Sequence, residues 1–203
     1  MTKWQEFKVG FLRALTWCIF RLGVYGTWSK AYQAIWERQR EPLKQFSSMG
    51  DFVAYIRTFK WRPDSWRQLW DAYSNPYHVQ WVANNDPLRL VGDCEDFSIY
   101  EVTVLATQPW LLRGATDVGI LTVTWFYPNP EPGQVSTAGH NVCLIQYDDG
   151  CFSWMDYNYP HVRSKSVQEV VAHVLSQYAP EAVLIRWGRC DRNLHYFDTD
   201  TKC

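Results

Sequence analysis

Gly139-His140-Asn141-Val142-Cys143-Leu144-Ile145-Gln146-Tyr147-Asp148-Asp149-Gly150-Cys151-Phe152-Ser153-Trp154-Met155-Asp156-Tyr157-Asn158 is the stretch on which the fold turns. Two runs rich in β-branched and aromatic residues, Asn141 to Tyr147 and Cys151 to Tyr157, flank Asp148-Asp149-Gly150. That triplet reads as a three-residue hairpin turn with glycine in the left-handed position. The turn sets the register: Tyr147 faces Cys151, His140 faces Asn158, and Asp156 lies diagonal to His140. Side chains alternate along a strand, so His140, Asp156 and Asn158 fall on one side of the sheet. A diagonal neighbour is within reach of an imidazole, which makes Asp156 the expected acceptor and Asn158 the reserve.

Outward from the hairpin, Gly119 to Tyr127 and Ala182 to Trp187 also read as strands, with one helix from about Ser166 to Tyr178 between the last two. Pro128-Asn129-Pro130-Glu131-Pro132-Gly133 removes alternate backbone donors, so the run to Thr137 is expected as loop. Upstream the period changes to steps of three and four. Trp4, Phe7, Phe11, Ala14, Leu15, Cys18 and Leu22 mark a helix from Lys3 to Leu22, and further helices are expected over Trp28 to Glu41 and Asp51 to Phe59. An aromatic-rich helical stretch follows from Asp64 to Asp86, interrupted at Asn75-Pro76. A buried helix then starts at Cys94 and carries Phe97, Ile99, Tyr100, Val104 and Leu105. Helices first and a mostly antiparallel sheet second define an α+β chain.

The 203 residues suffice for one core, and 47% hydrophobic with 17% aromatic content places the chain among globular proteins. Arg13 and Arg21 interrupt the apolar run from Phe7 to Tyr25, so neither a signal peptide nor a membrane span is expected, which implies a cytoplasmic setting. The six cysteines contain no CxxC pair, which favours reduced thiols over a zinc site. Charge is divided unevenly: residues 1–62 hold 11 Lys and Arg against 4 Asp and Glu, and the remainder holds an acidic excess. Such a division either neutralises itself across a packed interface or offers the basic N-terminal helices to an assembly partner. Nucleic acid is not the expected partner.

Chemistry concentrates in Val91-Gly92-Asp93-Cys94-Glu95-Asp96-Phe97. A cysteine at a helix N-terminus meets free N–H groups and a dipole that favour thiolate. Asp93 is placed to cap that helix and Gly92 to allow a close approach. Taken alone, such a cysteine is most often an inert buried side chain. Asp93, Glu95 and Asp96 are poor company for one. A thiol, an imidazole at His140 and an orienting acid at Asp156 make a nucleophilic set. His78, His161, His173 and His195 lack that arrangement and read as surface or packing residues.

From about Phe52 to Asn158 the chain resembles the transglutaminase-like superfamily of papain-type cysteine enzymes, in particular the bacterial transglutaminase-like cysteine peptidases. The resemblance rests on Gly92-Asp93-Cys94-Glu95-Asp96-Phe97, Gly139-His140 and Asp156. Trp81 with Asp86-Pro87 and the stretch Phe59 to Asp64 resemble upstream elements of that family. It implies a papain-like core, with a nucleophile-bearing helix on an antiparallel sheet over residues 51–190, an N-terminal helical extension over 1–50 and a tail over 191–203. It further implies a Cys94-His140-Asp156 triad acting on amide bonds of a protein or peptide through a thioester. The Cys94 N–H and a donor near Trp81 are the oxyanion candidates. No cofactor is required. Some relatives hold calcium on acids beside the cysteine, here Asp93, Glu95 and Asp96, although three side chains do not fill six to eight positions. Phage proteins of this kind also occur, so the alternative is a catalytically silent module docked into an assembly such as a virion. A cell-wall amidase of the NlpC type fits less well, because small residues usually follow its nucleophile.

Overall fold

The computed structural model describes Phe7, Phe11 and residues 42–62, 75–130 and 136–199. Apart from Phe7 and Phe11, the helices expected over Lys3 to Leu22 and Trp28 to Glu41 lie outside the described residues. So do residues 63–74 with Trp66, Trp70 and Tyr73.

Each helix begins where its sequence supplies an acceptor for the first free N–H groups. Helix α1 (Met49–Ile56) is capped by Ser48, whose hydroxyl accepts from Asp51 N at 3.1 Å. Strand β1 (Lys60–Trp61) follows. Asn75-Pro76, expected as an interruption, is instead the start of helix α2 (Pro76–Asn85). The Asn75 side chain accepts from Tyr77 N at 2.9 Å, and proline occupies a position whose N–H has no helical partner. Strand β2 (Leu90–Gly92) leads into helix α3 (Cys94–Thr107), then a 3-10 turn at Pro109–Leu111. Strands β3 (Ala115–Phe126), β4 (Thr137–Tyr147) and β5 (Phe152–Met155) come next. Ser166 caps helix α4 (Val167–Tyr178), and β6 (Val183–Cys190) and β7 (Tyr196–Thr199) complete the order.

The five-stranded sheet runs β5-β4-β3-β6-β7 with every neighbour antiparallel, while β1 and β2 pair in parallel as a separate two-stranded unit. The chain is therefore α+β. The β4–β5 ladder has the register the hairpin turn demands, with Cys143 opposite Met155 and Gln146 opposite Phe152. Gly150 takes φ 77° and its N–H bonds Tyr147 O at 3.0 Å. The ladder stops at Met155, so Asn158 does not pair with His140.

Alternation along the strands divides the core in two. On one face Ile120, Cys143, Ile145, Met155 and Cys190 pack with α1, α2 and α3. On the other, Leu121, Val123, Val142, Leu144, Trp154 and Trp187 pack against Val167, Val170, Val171 and Val174 of α4. Packing runs across residues 50 and 190. Leu43 and Phe46 belong to the first core, with Phe46 N donating to Gln108 Oε1 at 2.9 Å, and β7 extends the sheet beyond β6. Among the described residues no helix is long and apolar enough to cross a membrane.

Gly119 sits where β3 meets β6, and a Cβ there would lie 2.6 Å from the Cys190 carbonyl oxygen. The obstacle is backbone, which cannot swing aside as a side chain would. Gly119→Ala is expected to lower unfolding free energy by about 1–3 kcal/mol, read from the urea midpoint. An unchanged midpoint would contradict this strand spacing.

Candidate functional site

Gly92 ends β2 and Cys94 is the first residue of α3. Between them Asp93 caps the helix, its carboxylate accepting the Glu95 N–H at 3.2 Å. The approach at Gly92 is as close as its lack of a side chain allows, for a Cβ would come within 1.7 Å of Asp96 Oδ2. Asp93, Glu95 and Asp96 are all buried, which for carboxylates is tolerable only beside helix N–H groups or other partners.

Two influences on the Cys94 thiol oppose each other. The helix terminus and a hydrogen bond from the Asn141 backbone N–H favour thiolate. Burial, the charges of Glu95 and Asp93, and the bond from Sγ to Glu95 Oε2 at 3.2 Å favour thiol. A helix terminus contributes about 0.3–1 kcal/mol at an ordinary exposed position, less than burial beside two carboxylates. The balance pushes the thiol well above its ordinary range. The helix starts where expected, but its dipole does not decide the ionisation.

On β4, His140 sits one residue before Asn141, the residue whose N–H reaches the sulfur. His140 Nε2 lies 2.7 Å from Asp156 Oδ2, with both side chains largely covered. With Asp156 ionised, Nε2 carries the ring proton and Nδ1 is the basic nitrogen. The ring also packs on Tyr178 of α4, centroids 4.2 Å apart, and the Tyr178 hydroxyl donates to the same Asp156 oxygen. Burial and that carboxylate push the Tyr178 phenol up, so it stays protonated. His140 shares its side of β4 with Val142 and Leu144, the side that packs on α4. The thiol reaches β4 at the Asn141 main chain, beyond the end of the β4–β5 ladder, and its hydrogen bonds run to Glu95 and Asn141, not to the imidazole.

The remaining sequence candidates are elsewhere. Asn158 Oδ1 accepts from Arg57 and from Tyr159 N, so it serves the loop after β5 and not the imidazole. Trp81 is 50% exposed, its ring stacked on His78 and its carbonyl accepting from Asn85. Among the described residues the ligand-bearing group that converges here is Asp93, Cys94 and Glu95, with donor atoms within 4.8 Å of one another. Asp96 is not in it. Two carboxylates, one already capping α3, fall short of the six to eight oxygens calcium takes, and the thiol is a soft ligand. The donor set does not fit calcium.

Two residues of the site carry no sequence signal of their own. Tyr178 reads as the last turn of an amphipathic helix, and Glu101 as a polar position within a buried one. Glu101 is 1% exposed and its Oε1 accepts the Tyr157 N–H at 2.9 Å. A cleft of about 340 Å³, lined among others by Leu105, Leu112 and Val118, lies at the far end of α3. It is roughly 16 Å along the helix from Cys94, too far to belong to the thiol.

Compared with known protein families, with curated proteins and with solved structures, the chain finds no match. The transglutaminase-like resemblance therefore rests on its motifs.

Glu95 is the removable brake on the thiol, since it both charges the surroundings and accepts the S–H. Glu95→Gln is expected to lower the Cys94 pKa and to raise its iodoacetamide alkylation rate at neutral pH by about tenfold, the factor that accompanies each unit of pKa. An unchanged rate would assign the raised pKa to burial alone.

Proposed function

We propose that this chain is a cysteine hydrolase or acyltransferase of transglutaminase-like, papain-like type, acting on amide bonds of a protein or peptide. The Cys94 sulfur attacks the amide carbonyl carbon while its proton passes to His140 Nδ1. The imidazolium, held by Asp156, returns that proton to the leaving amine as the C–N bond breaks and the thioester remains. Water or a second amine then breaks the thioester and restores the thiol. The Cys94 backbone N–H, unpaired within the first turn of α3, is placed to receive the oxyanion.

One observation carries this reading: the 2.7 Å His140–Asp156 bond and the Asn141 N–H on the Cys94 sulfur join neighbouring residues of one strand to the thiol. Chemistry then requires the sulfur to turn from Glu95 toward the ring. Hydrolysis, deamidation and transamidation all use these parts. A second reading, a catalytically silent module of a larger assembly, is favoured by the half-buried thiol that now donates to a carboxylate.

Site-resolved alkylation of the native protein, read by peptide mass, separates the two. An enzyme predicts that His140→Ala and Asp156→Asn slow reaction at Cys94 by about a hundredfold or more, with Cys94→Ser removing it. Slow labelling of Cys94, Cys143 and Cys151 alike, indifferent to His140, would establish the silent module. With acyl donors, hydroxamate formed from hydroxylamine marks acyl transfer, and cleaved peptide marks a protease.

A further inference from the structure

Glu101 is a buried acid for which the proposed mechanism has no task. It stands seven residues after Cys94 on α3, two turns along, so helix geometry puts both on one face. Its Oε1 accepts the Tyr157 N–H at 2.9 Å, and among the described residues no cation pairs with it. The groups that face it are Asp156 and Tyr157 from the corner after β5, Cys143 from β4 and Tyr178 from α4. None brings positive charge. Burial and the neighbouring Asp156 hold its carboxyl well above the usual range, so it is neutral.

Tyr157 is where the chain leaves β5. Its φ of 55° is a left-handed conformation that a bulky residue adopts at a strain of about 1–3 kcal/mol. Such a conformation persists only where neighbours enforce it. Here α3 does so twice: Phe97 packs edge-on against the Tyr157 ring, centroids 4.2 Å apart, and Glu101, one turn further on, holds the Tyr157 amide. The residue just before that amide is Asp156.

We propose that Glu101 is a positioning residue of this site: by accepting the Tyr157 N–H it fixes the corner after β5 and so aims the Asp156 carboxylate at His140. The catalytic meaning of that aim rests on the proposed function. The His140–Asp156 bond itself does not, and it has its own readout, the low-field proton resonance of the imidazole N–H held by the carboxylate.

The test follows that resonance, the pH profile of Cys94 alkylation and the thermal midpoint in four full-length proteins. These are the native chain, Glu101→Gln, which keeps the acceptor without an ionisable group, and Glu101→Ala and Glu101→Met, which remove the acceptor. Met fills the volume where Ala leaves a cavity. The proposal expects Glu101→Gln to keep the resonance and an unshifted profile. It expects whichever of the Ala and Met variants folds to lose the resonance and to slow alkylation about tenfold to a hundredfold, the scale of a small misplacement. A folded Glu101→Met that keeps the resonance overturns it, because the glutamate is then only filler. A Glu101→Gln profile that shifts also overturns it, because the residue then acts through charge. Should the resonance respond as expected while Cys94 in the native chain is inert, positioning holds and the enzymatic reading fails.

Discussion

Slip β4 past β5 by one residue and His140 and Asp156 point to opposite sides of the sheet. The site therefore depends on the hairpin turn, where Gly150 at φ 77° closes Asp148-Asp149-Gly150 and locks Tyr147 against Cys151. The same register sends Val142, Leu144 and Trp154 to one core, and Cys143, Ile145 and Met155 to the other. Burial on both faces makes a slipped register expensive. The site thus borrows its precision from apolar packing that has nothing to do with chemistry.

Strand β4 carries His140, the corner after β5 carries Asp156, and α3 carries Cys94. Beyond the end of the β4–β5 ladder at Met155 the β4 main chain is no longer covered by β5. Asn141 N–H is then free to meet the sulfur, while the corner at Tyr157 turns back onto α3. Had β5 continued to Asn158, as its alternation suggests, a strand would occupy the place where the thiol approaches. The strand is cut short by the left-handed Tyr157, a conformation that no local residue preference requests and that α3 imposes.

This divides what the sequence makes legible from what it does not. Turn chemistry, caps and register are local, and they are readable: the glycine of the hairpin, Asp93 before Cys94, Ser166 before α4, and Gly92 against Asp96. Asn75-Pro76 reads as a break because proline disrupts helix interiors, although the same pair suits a first turn. β7 has no apolar run to announce it; pairing with β6 makes the strand. Glu101 is hidden because a glutamate inside a helical pattern normally marks the solvated face, and only three-dimensional packing reveals that α3 is buried there on every side. Tyr178 is hidden for the opposite reason, since an aromatic at the end of a helix looks like ordinary packing until its hydroxyl is seen on Asp156.

The acids around Cys94 show why stability and reactivity draw on the same groups. Asp93 satisfies a free N–H of α3, and Glu95 and Asp96 in its first turn complement the dipole, each contribution on the order of 1 kcal/mol. The same charges raise the free energy of a thiolate lying among them. A helix start built for stability is therefore a poor place to store a preformed thiolate. The arrangement suits a thiol that stays protonated. Further along α3, burial and the neighbouring Asp156 hold the Glu101 carboxyl neutral as well.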